Sequence, residues 1–215
     1  MSRRTLNKSE GNSNPATKFL EWKSNDKCFA YYDKDTKENV LIPLPVNFQF
    51  LEDFHTIKGF HEGSNSSIYS NEIKMISTEP LIVKSFRGST PIAEGLYKDI
   101  KNTVKASGGK YGKSVYAVLN GEIVSFQLYG ASISPFIFYT SGDKNTNVKG
   151  HDHLLESNFI EVKEFANKKK GANNYTEPIF SLGKAFTKPE VDLANDKYTE
   201  IVNYFDAYTK KEVVE

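Results

Sequence analysis

The sequence has little of several residue types, and each scarcity excludes a class of protein. Its 215 residues include one cysteine, Cys28, which excludes an internal disulfide and a metal centre built from several thiolates. No apolar run reaches the roughly 18 residues that a membrane helix needs, and the arginines near the N-terminus are not followed by the apolar segment of a secretory signal. The formal net charge is only +1, so a basic surface must be balanced by acidic residues elsewhere. We therefore expect a soluble cytoplasmic protein with no membrane partner.

The familiar catalytic motifs are missing as well. The chain has neither a Gly-x-x-x-x-Gly-Lys-Ser/Thr phosphate loop nor a Gly-x-Ser-x-Gly nucleophile motif. Residues 108–114 (GGKYGKS) resemble a phosphate loop, but they would follow a helix and enter a strand, which reverses the required order. The glutamates at positions 62, 72, 79 and 94 show no spacing that pairs two of them for acid–base catalysis. We therefore predict no enzyme and no cofactor.

One short segment leaves a metal alternative open. Residues 151–153 (His-Asp-His) offer two imidazoles and a carboxylate, which are plausible metal ligands. A further protein ligand would have to come from a distant part of the chain, such as Cys28, His55 or His61. A solvated loop is the simpler interpretation, and we predict no metal site.

The central stretch, residues 81–139, carries the clearest structural pattern. It opens with an apolar strand-like run, and Ile92, Leu96, Ile100 and Val104 then recur at helical spacing. This spacing predicts a helix over residues 92–107. Asn-Gly at positions 120–121 separates two strand-like runs, which is a strong hairpin signal because both turn positions require a positive φ.

The order strand, helix, hairpin is also the order of the second half of a five-stranded OB barrel. We therefore predict a mainly β protein with α-helices: an elaborated OB-fold barrel with a helix between strands three and four, and a C-terminal helix. The polar residues 1–17 predict a disordered basic arm, residues 18–188 the barrel domain, and residues 189–215 an acidic C-terminal helix and tail.

Lysines and aromatic residues alternate through this stretch, and together they predict nucleic-acid binding. Cations neutralise phosphates, and exposed rings stack on bases. The alternative is that the rings form cross-strand pairs in the core and that the lysines are only solvated. The residues predicted to bind are Tyr69, Lys84, Phe86, Arg87, Lys110, Tyr111, Lys113, Tyr116, Lys168, Lys169 and Lys170. Trp22, Tyr31 and Phe60 are the reserve candidates for stacking.

Three of these positions carry specific structural expectations. Tyr111 should lie in the turn after the helix, bracketed by Lys110 and Lys113. Tyr116 should lie in the following strand, on the same face as Ser114, with its ring toward a groove. The three lysines at positions 168–170 should form a flexible clamp at a loop tip.

Three short sequence segments resemble those of a known family. Residues 68–74 (IYSNEIK), 92–100 (IAEGLYKDI) and 109–117 (GKYGKSVYA) are similar to those of replication-module proteins of tailed bacteriophages. Such proteins are thought to be OB-fold single-stranded DNA-binding proteins, and the resemblance spans roughly residues 28–186. The acidic last segment is similar to the acidic C-termini with which such proteins engage replication partners.

The resemblance implies a protein that coats single-stranded DNA with little sequence preference during phage replication or recombination, in the cytoplasm of an infected bacterium. Its partners would be single-stranded DNA and, through the acidic segment, phage replication proteins. Two alternatives remain. One is a phage structural or assembly protein, and the other is a metal-dependent nucleic-acid enzyme that uses His151 and His153.

Overall fold

The structure, a computed structural model, describes residues 13–88, 90–143 and 145–212, with side chains up to residue 207. Thirteen strands and three α-helices lie within these ranges. They are β1 (Lys18–Lys23), β2 (Cys28–Asp33), β3 (Glu38–Ile42), β4 (Val46–His61), β5 (Ser66–Ser70), β6 (Leu81–Ser85), β7 (Ala93–Gly95), α1 (Tyr97–Ala106), β8 (Gly109–Leu119), β9 (Glu122–Tyr129), α2 (Ile133–Ser141), β10 (Gly142–Asp143), β11 (Val148–Lys149), β12 (Asn158–Lys170), β13 (Asn173–Ala185) and α3 (Lys188–Glu212). The protein is thus mainly β, as predicted.

Eleven of the strands form one mixed sheet. Its main path runs β3-β2-β1-β9-β8-β4-β5-β6-β7, and β12 joins it by pairing with the start of β4 and with β13. The pairing of β1 with β9 is parallel, and the other described pairings are antiparallel. The 16-residue strand β4 runs through the centre, with β8 on one side and β12 and β5 on the other. Because β4 pairs with β12 at its start and with β5 at its end, it connects these two parts of the sheet.

Helices cover both faces of the sheet. Val115 and Ala117 of β8 pack in the same cluster as Phe136 of α2, whereas the alternating residues Tyr116 and Val118 pack with Ile201 of α3. The helix α1 lies on the same face as α2, because Tyr111 of β8 packs against both of their clusters. We call the two sides the α1 face and the α3 face. The helix α3 covers only part of its face.

The strongest local predictions are confirmed. The hairpin of β8 and β9 turns at Asn120 and Gly121, whose φ angles are 52° and 82°. A helix follows β6, although it begins at Tyr97 rather than at residue 92. The intervening residues Ala93–Gly95 pair with β6 instead, and Gly95 has a φ of 138°, which is incompatible with a helix.

Other expectations need correction. No sheet of the described residues closes on itself, so the OB barrel is not confirmed: β9 pairs with β1 on its open side. The predicted disordered arm lies outside the described residues up to position 12. Beyond that position it is ordered, because Ala16 is buried and the Thr17 amide donates to the Ile123 carbonyl. Among the described residues, no helix combines the length and apolar character needed to cross a membrane.

Candidate nucleic-acid interface

A row of four side chains crosses the uncovered part of the α3 face. Lys110 of β8 lies directly opposite Lys58 of β4, Lys58 lies opposite Tyr69 of β5, and Tyr69 lies opposite Lys84 of β6. The side chains of Lys110 and Tyr116 lie on the same side of β8. Because Tyr116 packs under α3, the row belongs to the α3 face. Paired positions on neighbouring strands are about 5 Å apart, so the cations and the ring are close neighbours.

A second row places two phenylalanines beside the first. Phe60 lies opposite Ser67, and the amide of Phe86 donates to the carbonyl of Ser67. The exposed fractions of Phe86, Phe60 and Tyr69 are 78%, 51% and 39%. Large apolar side chains clustered at a surface usually mark a binding site, because a monomer otherwise buries them.

These two rows border an open groove of about 750 Å³, which we call the face groove. Lys58, Phe60, Tyr69, Phe86 and Lys110 line it. None of the described ion pairs contains Lys58, Lys84 or Lys110, so their charges are available to an anion.

Two glutamates also line the face groove, and one of them already has hydrogen-bond partners. Glu21 accepts from Lys23 Nζ at 2.9 Å and bonds the hydroxyl of Tyr129. Burial and the proximity of Glu21 raise the pKa of Tyr129, so that its hydroxyl keeps the proton it donates. Glu62 lies exposed in the turn after β4. The cationic part of the groove is therefore its centre, between β8 and β6.

Two predicted stacking residues are corrected by the structure. The ring of Tyr116 does point to the α3 face, but α3 covers it completely. Its hydroxyl donates to Glu72 Oε2 at 2.8 Å and accepts from Asn14 Nδ2 at 2.9 Å, and burial raises its pKa. Tyr116 therefore belongs to the core.

Tyr111 lies inside β8 rather than in a turn, and it is on the α1 face. Its ring is half-buried between His55 and Tyr97, and its hydroxyl is 2.6 Å from His55 Nδ1. Burial raises the pKa of Tyr111 to about 12, while burial and then the charge of Lys113 lower the pKa of His55. Lys113 forms an ion pair with Asp53, and its side chain is only 16% exposed. Neither residue is therefore available in the face groove.

The remaining predicted residues lie at the surface in two places. Tyr69, Phe86 and Lys110 line the face groove, Lys84 lies opposite Tyr69 on β6, and Arg87 is exposed beside Phe86. The lysines at positions 168–170 lie elsewhere, at the end of β12. They are not in a loop, because they pair with Asn173–Tyr175 of β13, and the tip is at residues 171–172.

The sequence analysis missed Lys58 and ranked Phe60 only as a reserve. Both follow the buried Ile57 in β4, in a stretch whose residues 58–61 are half-buried or exposed. The sequence of this stretch does not reveal which strands lie beside it.

A second groove, of about 520 Å³, lies between the β1–β2 turn and the β12–β13 hairpin. Lys27, Lys168, Lys169 and Tyr175 are among its lining residues, and no acidic residue lines it. We call it the hairpin groove. It has the same combination of cations and an aromatic ring as the face groove.

The residues of the metal alternative are not assembled into a site. His151 stacks on Tyr139 with the ring centres 4.8 Å apart, and His153 is exposed. Within the described ranges, no three His, Cys, Asp or Glu side chains are grouped so that they could hold a metal ion.

Comparison with known proteins adds no relative. No family model, no curated protein and no solved structure matches this chain.

Proposed function

We propose that the protein binds single-stranded DNA with little sequence preference and acts in phage DNA replication or recombination, in the cytoplasm of the infected bacterium. One observation carries the proposal: three exposed aromatic rings lie beside three lysines on one open face of the sheet, and none of the described ion pairs contains these lysines. Rings that stack and cations that neutralise phosphates are the two elements of sequence-tolerant single-strand binding.

Stacking also favours a single strand over a duplex. In a duplex the bases already stack on each other, whereas a single strand can place successive bases on protein rings. Phe60, Tyr69 and Phe86 offer three such platforms, with Lys58 and Lys84 beside them. Every base has a π-face, so this arrangement does not select a sequence.

The connectivity of the sheet supports the proposal. The chain runs β4-β5-β6-β7-α1-β8-β9. Apart from the three-residue strand β7, these are three strands, a helix and a hairpin, in the order of an OB fold. OB folds bind oligonucleotides on the face of their second and third strands. The corresponding strands here are β5 and β6, which carry Tyr69 and Lys84 and lead into Phe86. We therefore interpret the sheet as an open, extended form of the OB arrangement.

Recruitment of phage replication proteins by residues 189–215 remains part of the proposal. The N-terminal half of this segment is docked rather than free, because Ile201 is buried against Tyr116 and Phe54. Any partner would therefore meet the part of α3 that stays exposed, which includes Val191 and, at the edge where α3 meets β4, Tyr198 and Val202.

Fluorescence anisotropy with a labelled oligothymidine tests the DNA proposal. Phe60→Ala, Tyr69→Ala and Phe86→Ala should each weaken binding by about 1–3 kcal/mol, which is roughly 5- to 150-fold, because each removes a stacking platform. Stability should change little, since the rings are exposed. Phe138→Ala is the matched control, because Phe138 is 50% exposed on α2, on the other face of the sheet. Wild-type affinity in all three variants would refute the proposal, as would equal affinity for duplex DNA.

A further inference from the structure

The face groove and the hairpin groove are joined by strand β1. Glu21 of β1 lines the first, and Ser24, three residues later, lines the second. Three residues of extended chain span about 10 Å. The end of β1 lies close to Tyr129, because the Glu21 side chain bonds the Tyr129 hydroxyl.

The lining of the hairpin groove suits a phosphate chain. Three of its nine lining residues are lysines, and three more are asparagines, whose side-chain amides donate hydrogen bonds. Lys168 has one weak partner, Glu177 at 3.8 Å, and that glutamate is not among the lining residues. Tyr175 adds an aromatic ring at the same place.

The hairpin is held in a fixed position against the β1–β2 turn. The amide of Thr176 donates to Ser24 Oγ at 2.5 Å, its hydroxyl donates to the Ser24 carbonyl at 2.7 Å, and Trp22 Nε1 donates to the Thr176 carbonyl at 2.9 Å. Lys27 Nζ lies over the ring of Phe165, 5.1 Å from its centre. The lysines of β12 therefore belong to a paired hairpin that is attached to the β1–β2 turn, and they do not form a clamp at a loop tip.

We infer that one single strand occupies both grooves, passing from the face groove around the end of β1 to the hairpin groove. This inference rests on the proposed function and defines its site. Lys23, which forms an ion pair with Glu21, lies in the stretch of β1 between the two grooves. Such a strand should be longer than the face groove alone can hold, toward the upper end of the roughly 4–16 nucleotides bound per OB fold.

Oligothymidines of about 5 and about 15 nucleotides distinguish one continuous site from two. For the wild-type protein, affinity should be clearly higher for the longer oligonucleotide. The double variant Lys168→Ala/Lys169→Ala should lose most of this gain and bind the short oligonucleotide as wild type does. Its log–log salt slope for the long oligonucleotide should become shallower by about 1.4, since each phosphate contact on a single strand contributes about 0.7.

The control is Lys98→Ala/Lys101→Ala, which removes the same charge from exposed positions of α1 on the opposite face. It should leave both affinities and the slope unchanged. If the hairpin variant weakens both oligonucleotides equally, or neither, the continuous site is wrong although the face groove still binds DNA. If wild type binds neither oligonucleotide, the proposed function itself fails.

Discussion

Tyr116 shows how the surroundings of one residue decide its role. Its sequence context, a tyrosine in a strand near several lysines, is equally typical of a stacking platform and of a core ring. The structure buries it under α3, edge-on to Phe54 and Phe205, and satisfies its hydroxyl with Glu72 and Asn14. A hydrogen bond to an ionised group is stronger than a neutral one.

Tyr116→Phe should therefore lower the free energy of unfolding by about 1.5–3 kcal/mol and leave oligonucleotide affinity unchanged. The loss arises because Glu72 Oε2 and Asn14 Nδ2 both lose the buried hydroxyl as a hydrogen-bond partner. Urea denaturation measures it, with an unchanged m-value as evidence that the unfolded state is not altered. Tyr32→Phe is the control, since Tyr32 is exposed. If the variant bound DNA more weakly at normal stability, Tyr116 would instead be part of the DNA interface.

At the scale of the elements, the β12–β13 hairpin depends on a few contacts with the rest of the sheet. Beyond the pairing of β12 with β4, its outer half is attached to the β1–β2 turn mainly through Thr176. Thr176 is buried, so its hydrogen bonds do not compete with solvent. The position of the lysines at the hairpin end is thus set by a residue that carries no charge.

Thr176→Val keeps the shape and every lysine but removes the hydroxyl that donates to the Ser24 carbonyl. We expect a loss of about 1 kcal/mol, expressed as faster amide hydrogen exchange in the outer hairpin rather than as global unfolding. Affinity for the long oligonucleotide should fall, and affinity for the short one should not. Thr78→Val, at an exposed loop position, should change neither quantity. Unchanged exchange in the hairpin would show that other contacts position it.

At the scale of the whole molecule, charge is nearly balanced, so attraction to DNA has to be local. Face-groove contacts from three lysines and Arg87 would neutralise about four phosphates, giving a log–log salt slope near −3. Adding Lys27, Lys168 and Lys169 would bring the slope to about −5.

Binding measured across a series of salt concentrations should give the steeper value for a long oligonucleotide and the shallower one for a short oligonucleotide. The slope should not follow net charge: Lys98→Ala/Lys101→Ala changes the net charge from +1 to −1 and should leave it unaltered. An affinity that does not change with salt would remove phosphate contacts from the mechanism, and with them the role of both groups of lysines.

The sequence alone determined the features that depend on near neighbours. The Asn120-Gly121 turn needs two positive φ angles, which few residue pairs tolerate, so the β8–β9 hairpin was predictable. The apolar spacing of Ile100 and Val104 likewise predicted α1, and these are its two buried residues. The mainly β character followed from the same local patterns.

Tertiary structure decided everything that depends on which distant segments meet. The parallel pairing of β1 with β9, and the attachment of β12 to the start of β4, join strands that are far apart in the chain. The helix α3 covers Tyr116 but leaves Lys58 and Phe60 open, although all three lie on one face. Successive side chains of a strand point to opposite faces, so the sequence shows which residues share a face. Only the packing of the other elements determines which part of that face stays in contact with solvent.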